Sequence, residues 1–509
     1  MAIVPASLRV SNLTPTRALW IGIVFGLTLT ASIDACARFV HQRRQRGKRR
    51  RLQRGPKRPR AGQITVERDE IVRGVEGLIG NTPLIRINSL SNLVSNLTGL
   101  KVEIVGKCEF MNPFGSVKDR VSREIVRHAE QNGLVEPNSG STLFEGTSGS
   151  TGISIAGIAK ARGYNAHIVL PDDVAEEKIR MLEVLGARVE KVRPVSIVDK
   201  KHYVNLARLR ALEFGSEPSS SPSNASEFVV TEPSESRTKR RGLFADQFEN
   251  LSNFRAHHEE TGPEIHRQTR GFVDAFVSGA GTGGTIAGVG TSLKRLTDGR
   301  CEVVLSDCEG SGLYYWVKEG VMWNEREREG TRRRFQVDTI TEGIGLNRVT
   351  SNLNVAKDII DDAFRVTDVE ALSMSRHLAE QDGLFLGSSS AVNLVACVRL
   401  ALKWIREGKT LQDDENASDF DDCSDDEEES EEEDGVPART RVRTREKRPL
   451  RIATILCDSG NRHTSKFWNE GYLERNGISY PRNLDWLLSE HQSSTPSPPS
   501  SAIPGATRA

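Results

Sequence analysis

Residues 112–120 read Asn-Pro-Phe-Gly-Ser-Val-Lys-Asp-Arg, and the fold and chemistry of the chain turn on this stretch. It sets a single lysine, Lys118, directly behind a loop-like Pro-Phe-Gly-Ser run. Beyond it, Val121, Ile125 and Ala129 recur at i, i+4 and i+8, which predicts one apolar face of a helix. Ser116 is the expected N-cap. Lys118 then falls in the first helical turn, where the positive end of the helix dipole disfavours an ammonium and lowers its pKa. A lysine that attacks a carbonyl needs this, because only the neutral amine is a nucleophile. The alternative is an ordinary surface lysine in a polar first turn, so the rest of the chain has to decide.

Working outward, strand candidates lie at 102–107 and 167–170, each followed by a helix-like run, the second over 176–186. Further strands are expected at 271–277, 301–305 and 451–457. Strands alternating with helices predict an α/β fold with mainly parallel sheets. Three more loop–helix junctions carry small residues. Ser278 to Thr285 holds four glycines and two threonines between a strand and a helix, a backbone nest suited to a phosphate. No Gly-Lys-Ser/Thr follows, and the spacing fails the full dinucleotide pattern, so a lone phosphate fits better. Glu145 to Gly152 offers four hydroxyls ahead of a helix expected over 153–161, and suits a carboxylate. Gly387 to Ala391 is a serine run before another helix, where a hydroxyl could bond a neutral pyridine nitrogen. For each, a plain turn or cap is the competing reading.

Composition sets the outer limits. The 509 residues are 37% hydrophobic with 44 glycines, and the net charge of +1 averages strongly segregated blocks. The seven cysteines (36, 108, 301, 308, 397, 423 and 457) form no CxxC, which argues against a disulfide framework or a structural zinc and for a reducing compartment. No metal is expected. Residues 18–35, ALWIGIVFGLTLTASIDA, form an apolar run long enough to cross a bilayer at ~1.5 Å per residue. The basic run HQRRQRGKRRRLQRGPKRPR follows at 41–60. Charge placed after the apolar run predicts an uncleaved anchor with the bulk of the chain in the cytosol. Basic flanks suit the mitochondrial outer membrane, with the endoplasmic reticulum or the mitochondrial interior as alternatives. The position of the basic run beside the anchor accounts for it, so no nucleic-acid partner is expected.

The expected organisation is an N-terminal segment 1–17, an anchor 18–35, a basic linker 36–63 and a catalytic region 64–480 of two subdomains. Ser/Pro/Glu-rich residues 213–241 and charged residues 411–447 read as disordered insertions, and 481–509 as a disordered tail.

One lysine, one phosphate cup, one carboxylate loop and one serine loop together resemble the fold type II pyridoxal-phosphate enzymes. The likeness is greatest to the cysteine synthase / cystathionine β-synthase group, in its membrane-anchored, fungal-type form. Matching stretches run in family order: Ile79 to Leu84, Asn112 to Arg120, Thr147 to Gly152, Gln247-Phe248, Thr261 to Ile265, Gly281 to Thr285, Glu342 to Gly345 and Cys457 to Gly460. The resemblance implies two tryptophan synthase β-like domains and pyridoxal 5′-phosphate bound to Lys118, which also carries the proton at the substrate α-carbon. It implies Gly281, Thr282, Gly283, Gly284 and Thr285 around the phosphate and Ser389 facing the pyridine nitrogen. A neutral serine there favours β-elimination and β-replacement over transamination. Thr147, Ser148, Gly149, Thr151, Gln247 and Gly343 are implied at the substrate. One position departs from the family pattern, in which an Asn binds the cofactor's 3′ oxygen; here it is Ser150. The implied reaction replaces the acetyl group of O-acetyl-L-serine by sulfide to give L-cysteine and acetate, in a homodimer. A cystathionine β-synthase-like enzyme and a cysteine or serine lyase are alternatives. A catalytically weak, membrane-tethered scaffold of the same fold is the alternative from another class.

Overall fold

A computed structural model describes residues 71–72, 74–214, 229–230, 240–324, 339–409 and 448–487. The chain divides into two compact units, and nearly all described residues fall in the one formed by Val72–Ala417 and Val436–Ala509. The expected anchor and basic linker lie outside the described residues, as does the charged insertion 411–447.

Two sheets carry the fold. The larger is built from β1 (Leu84–Arg86), β2 (Val102–Cys108), β8 (Ala275–Gly279), β9 (Glu302–Cys308), β10 (Asp362–Val366) and β11 (Leu450–Leu456), in the order β1-β2-β11-β8-β9-β10. Only β1 runs antiparallel. The smaller has the order β5-β4-β3-β7-β6, from β3 (Thr142–Gly146), β4 (Asn165–Pro171), β5 (Arg188–Val192), β6 (Val229–Val230) and β7 (Gly242–Phe244). There only β6 is antiparallel. The central strands are buried along nearly every residue, as parallel strands with helices on both faces must be.

Four helices place the chemistry: α1 (Lys118–Gln131), α2 (Ser150–Arg162), α3 (Gly284–Leu296) and α4 (Ser388–Arg406). Val121, Ile125 and Ala129 of α1 are fully buried, as their spacing predicts. Val117 rather than Ser116 precedes α1, because Val117 is already helical at φ −56°, ψ −22°. The Ser116 hydroxyl still accepts from the Lys118 N–H at 3.2 Å. Helix α2 starts three residues before the expected Ile153, which moves Ser150 and Thr151 from the loop into its first turn.

Other boundaries shift for visible reasons. The strand expected at 271–277 begins at Ala275, because Gly271 adopts φ +84° and the Phe272 N–H closes a turn onto the Thr269 carbonyl. In the expected insertion 213–241, Glu213 ends the helix Tyr203–Glu213. Val229 and Val230 pair with the edge of β7, where β-branched residues suit a strand. The folded part also runs past 480: Leu484 and Leu487 are buried against the core around α4, so the tail cannot begin at 481. Cys108, Cys301, Cys308, Cys397 and Cys457 are all free thiols.

Candidate active site

The loops that leave β3, β8 and β11 at their C-terminal ends converge on one cavity of about 1300 Å³. This is where ligands bind in parallel α/β sheets. Lys118 lines it, half-buried. Desolvation holds its amine below the ordinary lysine value, while the Cys457 thiol and the Asp458 carboxylate pull the other way. Burial, more than the helix dipole expected from sequence, is therefore what favours the neutral amine. Among the described residues its Nζ has no hydrogen-bond partner and no ion pair, so it is free to react.

The nest after β8 is shaped by its neighbours. A Cβ on Gly281 would lie 1.9 Å from the Gly343 carbonyl oxygen, and Gly283, at φ +88°, packs 2.5 Å from Leu353 in the same sense. Only glycine lets the backbone pass here, and it delivers the N–H groups opening the 13-residue α3 to the cavity. Thr282 Oγ1 accepts from Asn253 Nδ2 at 2.8 Å, leaving its own hydrogen free. Thr285 Oγ1 lies 3.2 Å from His257 Nε2, and burial lowers that imidazole to about 3, so it is neutral. Gly281, Thr282, Gly283 and Thr285 line the cavity. Gly284 instead packs against Asn253, whose Oδ1 would meet a Cβ at 2.0 Å.

Thr147, Ser148, Ser150, Thr151 and Gln247 line the same cavity. Gly149 does not; at φ +142° it turns the chain into α2 against Lys178. Thr151 donates to Gln247 Oε1 at 2.5 Å, and Gln247 Nε2 donates to Glu145 at 3.1 Å, which leaves one Gln247 N–H for a ligand. Among the described residues no cation pairs with the buried Glu145, and desolvation raises its pKa well above the ordinary glutamate value. Gly343 lines the cavity at φ +87°, and Ser389 does so from the first turn of α4, 5% exposed.

Several residues at the site had no signal in the sequence. Asn393, one turn beyond Ser389, accepts from the Gly279 N–H and Ser306 Oγ, both at 2.7 Å, and donates to the Ile455 carbonyl at 2.9 Å. It ties the ends of β8, β9 and β11 together beneath the cavity. His463 Nε2 lies 3.1 Å from Asp458 Oδ2, and both residues line the cavity. Burial pushes Asp458 up, but His463 and Arg462 outweigh this and hold it below its ordinary value. Lys178 pairs with Glu342 across the cavity wall. Asp458 and Glu342 sit inside motifs that sequence reading singled out for their neighbours; Lys178 and Asn393 stand in ordinary helical runs.

With this geometry in place, comparisons with known proteins add an independent line. The sequence model of a family described as pyridoxal-phosphate dependent enzyme matches residues 75–411. The chain is 48% identical over 400 residues to cysteine synthase 2 of Emericella nidulans, covering 78% of this chain and 80% of that protein. It is 45% identical over 397 residues to a Saccharomyces cerevisiae protein provisionally named a mitochondrial cysteine synthase, covering 78% and 84%. A crystal structure of O-ureido-L-serine synthase superposes with a TM-score of 0.56 at 23% identity, over 82% of this chain and all of that one, a likeness of fold.

Proposed function

The chain belongs to the pyridoxal-phosphate-dependent enzymes, and within that family we propose that it is a cysteine synthase, replacing the acetoxy group on Cβ of O-acetyl-L-serine by sulfide with release of acetate. The observation that carries this reading is a lysine with an unbonded, desolvated amine in the same cavity as a glycine nest at a helix N-terminus. The residues fit pyridoxal 5′-phosphate, because the nest is a cradle that any Cβ at Gly281 would fill. When bound, the cofactor supplies an electron sink that acidifies the substrate Cα–H and expels the β-substituent.

The protein's own residues do the rest. Lys118 holds the cofactor and then, as a neutral amine, takes and returns the proton at the substrate Cα. The backbone N–H groups opening α3, with the Thr282 and Thr285 hydroxyls, hold the phosphate. The loop that follows β3 presents Thr147 and Ser148, and the first turn of α2 presents Thr151, to the substrate carboxylate, with the remaining Gln247 N–H. Ser389 gives a neutral hydroxyl, which leaves a pyridine nitrogen unprotonated. Gly343 lines the cavity and would contribute backbone to the substrate's surroundings.

The finer assignments rest on the sequence. The apolar run 18–35 and basic run 41–60 support an N-terminal membrane anchor. Their composition and the mitochondrial designation of the S. cerevisiae relative support a mitochondrial membrane. Family resemblance supports a homodimer. The test is an absorption spectrum of the purified chain, before and after O-acetylserine and then sulfide. We expect a visible cofactor band that changes with O-acetylserine, returns with sulfide and is lost or shifted in Lys118→Ala. A band that responds to O-acetylserine but ignores sulfide makes the protein a lyase. No band at all refutes the assignment.

A further inference from the structure

Ser150 stands where the motif of the resembled family carries an Asn, and a buried cation is bonded to it. Arg462, 4% exposed, donates through Nη1 to Ser150 Oγ at 2.9 Å and through Nη2 to the Phe114 carbonyl. It lies behind the cavity wall, which Ser150 lines and Arg462 does not. Burial lowers the guanidinium's pKa, and the Asp458 and Asp119 carboxylates offset part of that desolvation.

A guanidinium has donors only, so Ser150 Oγ must be the acceptor in this bond. Its single O–H is then left to point elsewhere, and among the described residues it has no other partner. Ser150 lines the cavity, which Arg462 does not reach. Ser150 is also close to the reactive lysine: Ser154, one turn along α2, donates to Asp119 at 2.6 Å, and Asp119 follows Lys118. The first turns of α1 and α2 therefore lie side by side. In pyridoxal phosphate the anionic ring oxygen is on the carbon next to the aldehyde, so an aldehyde carbon held at Lys118 brings that oxygen beside the lysine.

We propose that Arg462 is a positioning residue for the cofactor, acting through Ser150. It fixes the serine hydroxyl as a donor towards the ring oxygen. It also polarises that hydroxyl, since a hydroxyl accepting from a cation donates more strongly. An amide at this position donates unaided; here a shorter side chain does so with a buried cation behind it. This inference rests on the cofactor assignment above.

The test uses the full chain stripped of cofactor and titrated with pyridoxal phosphate, reading the dissociation constant and the wavelength of the visible band. Arg462→Gln should weaken binding about tenfold, the value of one charge-assisted bond, and should move the band. In a Ser150→Asn background the same Arg462→Gln change should alter binding by less than about twofold, because the coupling is gone. Equal losses in both backgrounds would make Arg462 a brace for the Phe114 loop and overturn the proposal, as would no loss in the native background. If Arg462→Gln fails to fold by circular dichroism, Arg462→Met, which also removes the cation and its donors, gives the same comparison. A native chain with no visible band would refute the cofactor assignment itself; a native band with uncoupled variants refutes only the Arg462 role.

Discussion

Replacing Asn393 by leucine should be among the most damaging single changes beneath the site, and its size follows from the structure. The residue is 1% exposed, and its amide serves three different strands. Leucine keeps most of the volume and leaves little space for water. The Gly279 N–H then loses its acceptor and the Ile455 carbonyl keeps only the weak Cys457 thiol, 3.8 Å away, as a side-chain donor, while the Ser306 hydroxyl can rotate to another partner. An unsatisfied buried polar group costs about 1–3 kcal/mol, so two predict a loss of about 2–6 kcal/mol. The assay is urea unfolding of the cofactor-free chain, comparing midpoints at unchanged slope. Because Gly279 ends the strand that enters the phosphate nest, cofactor affinity should fall as well. A loss below about 1 kcal/mol with an unchanged slope would refute the claim that Asn393 holds the three strand ends together.

Two further predictions concern charge and shape. Glu264 is held by Lys107 at 2.6 Å and by Arg120 at 2.8 Å, and although burial pushes it up, these partners bring its carboxyl down to about 2. A depressed acid stabilises the fold above its unfolded value near 4.5, and that stability is lost as pH falls towards 2. Glu264→Gln should therefore cost about 3 kcal/mol at pH 7, with the gap from the native chain closing between about pH 4.5 and 2; parallel urea midpoints across that range would refute this. Gly281→Ala places a methyl group 1.9 Å from the Gly343 carbonyl oxygen, so the nest must open. Losing one or two charge-assisted phosphate bonds should weaken pyridoxal phosphate binding by about 10- to 1000-fold in a visible-absorbance titration; a change under threefold would show that the nest does not grip the phosphate.

What could be read from the chain before its structure was known divides along a physical line. The apolar face of α1 was legible because helical spacing repeats locally and core burial enforces it. The glycine nest was legible because close backbone approach forbids a Cβ, a demand that falls on single residues in one short run. The burial of Leu484 and Leu487 was hidden by the Ser/Pro-rich residues that follow them. Asn393 and Arg462 left no trace at all, since each takes its role from distant partners: Arg462 meets a serine 312 positions away. A side chain whose purpose is set by a contact across the fold obeys no periodicity and no motif. Ser150 shows the consequence most clearly. Seen in sequence it is a missing amide and reads as a loss; beside Arg462 it is a hydroxyl with its lone pair occupied and its hydrogen available. A departure from a family pattern marks where a compensating group should be sought, and the nature of the compensation emerges only from the residues that the fold brings to it.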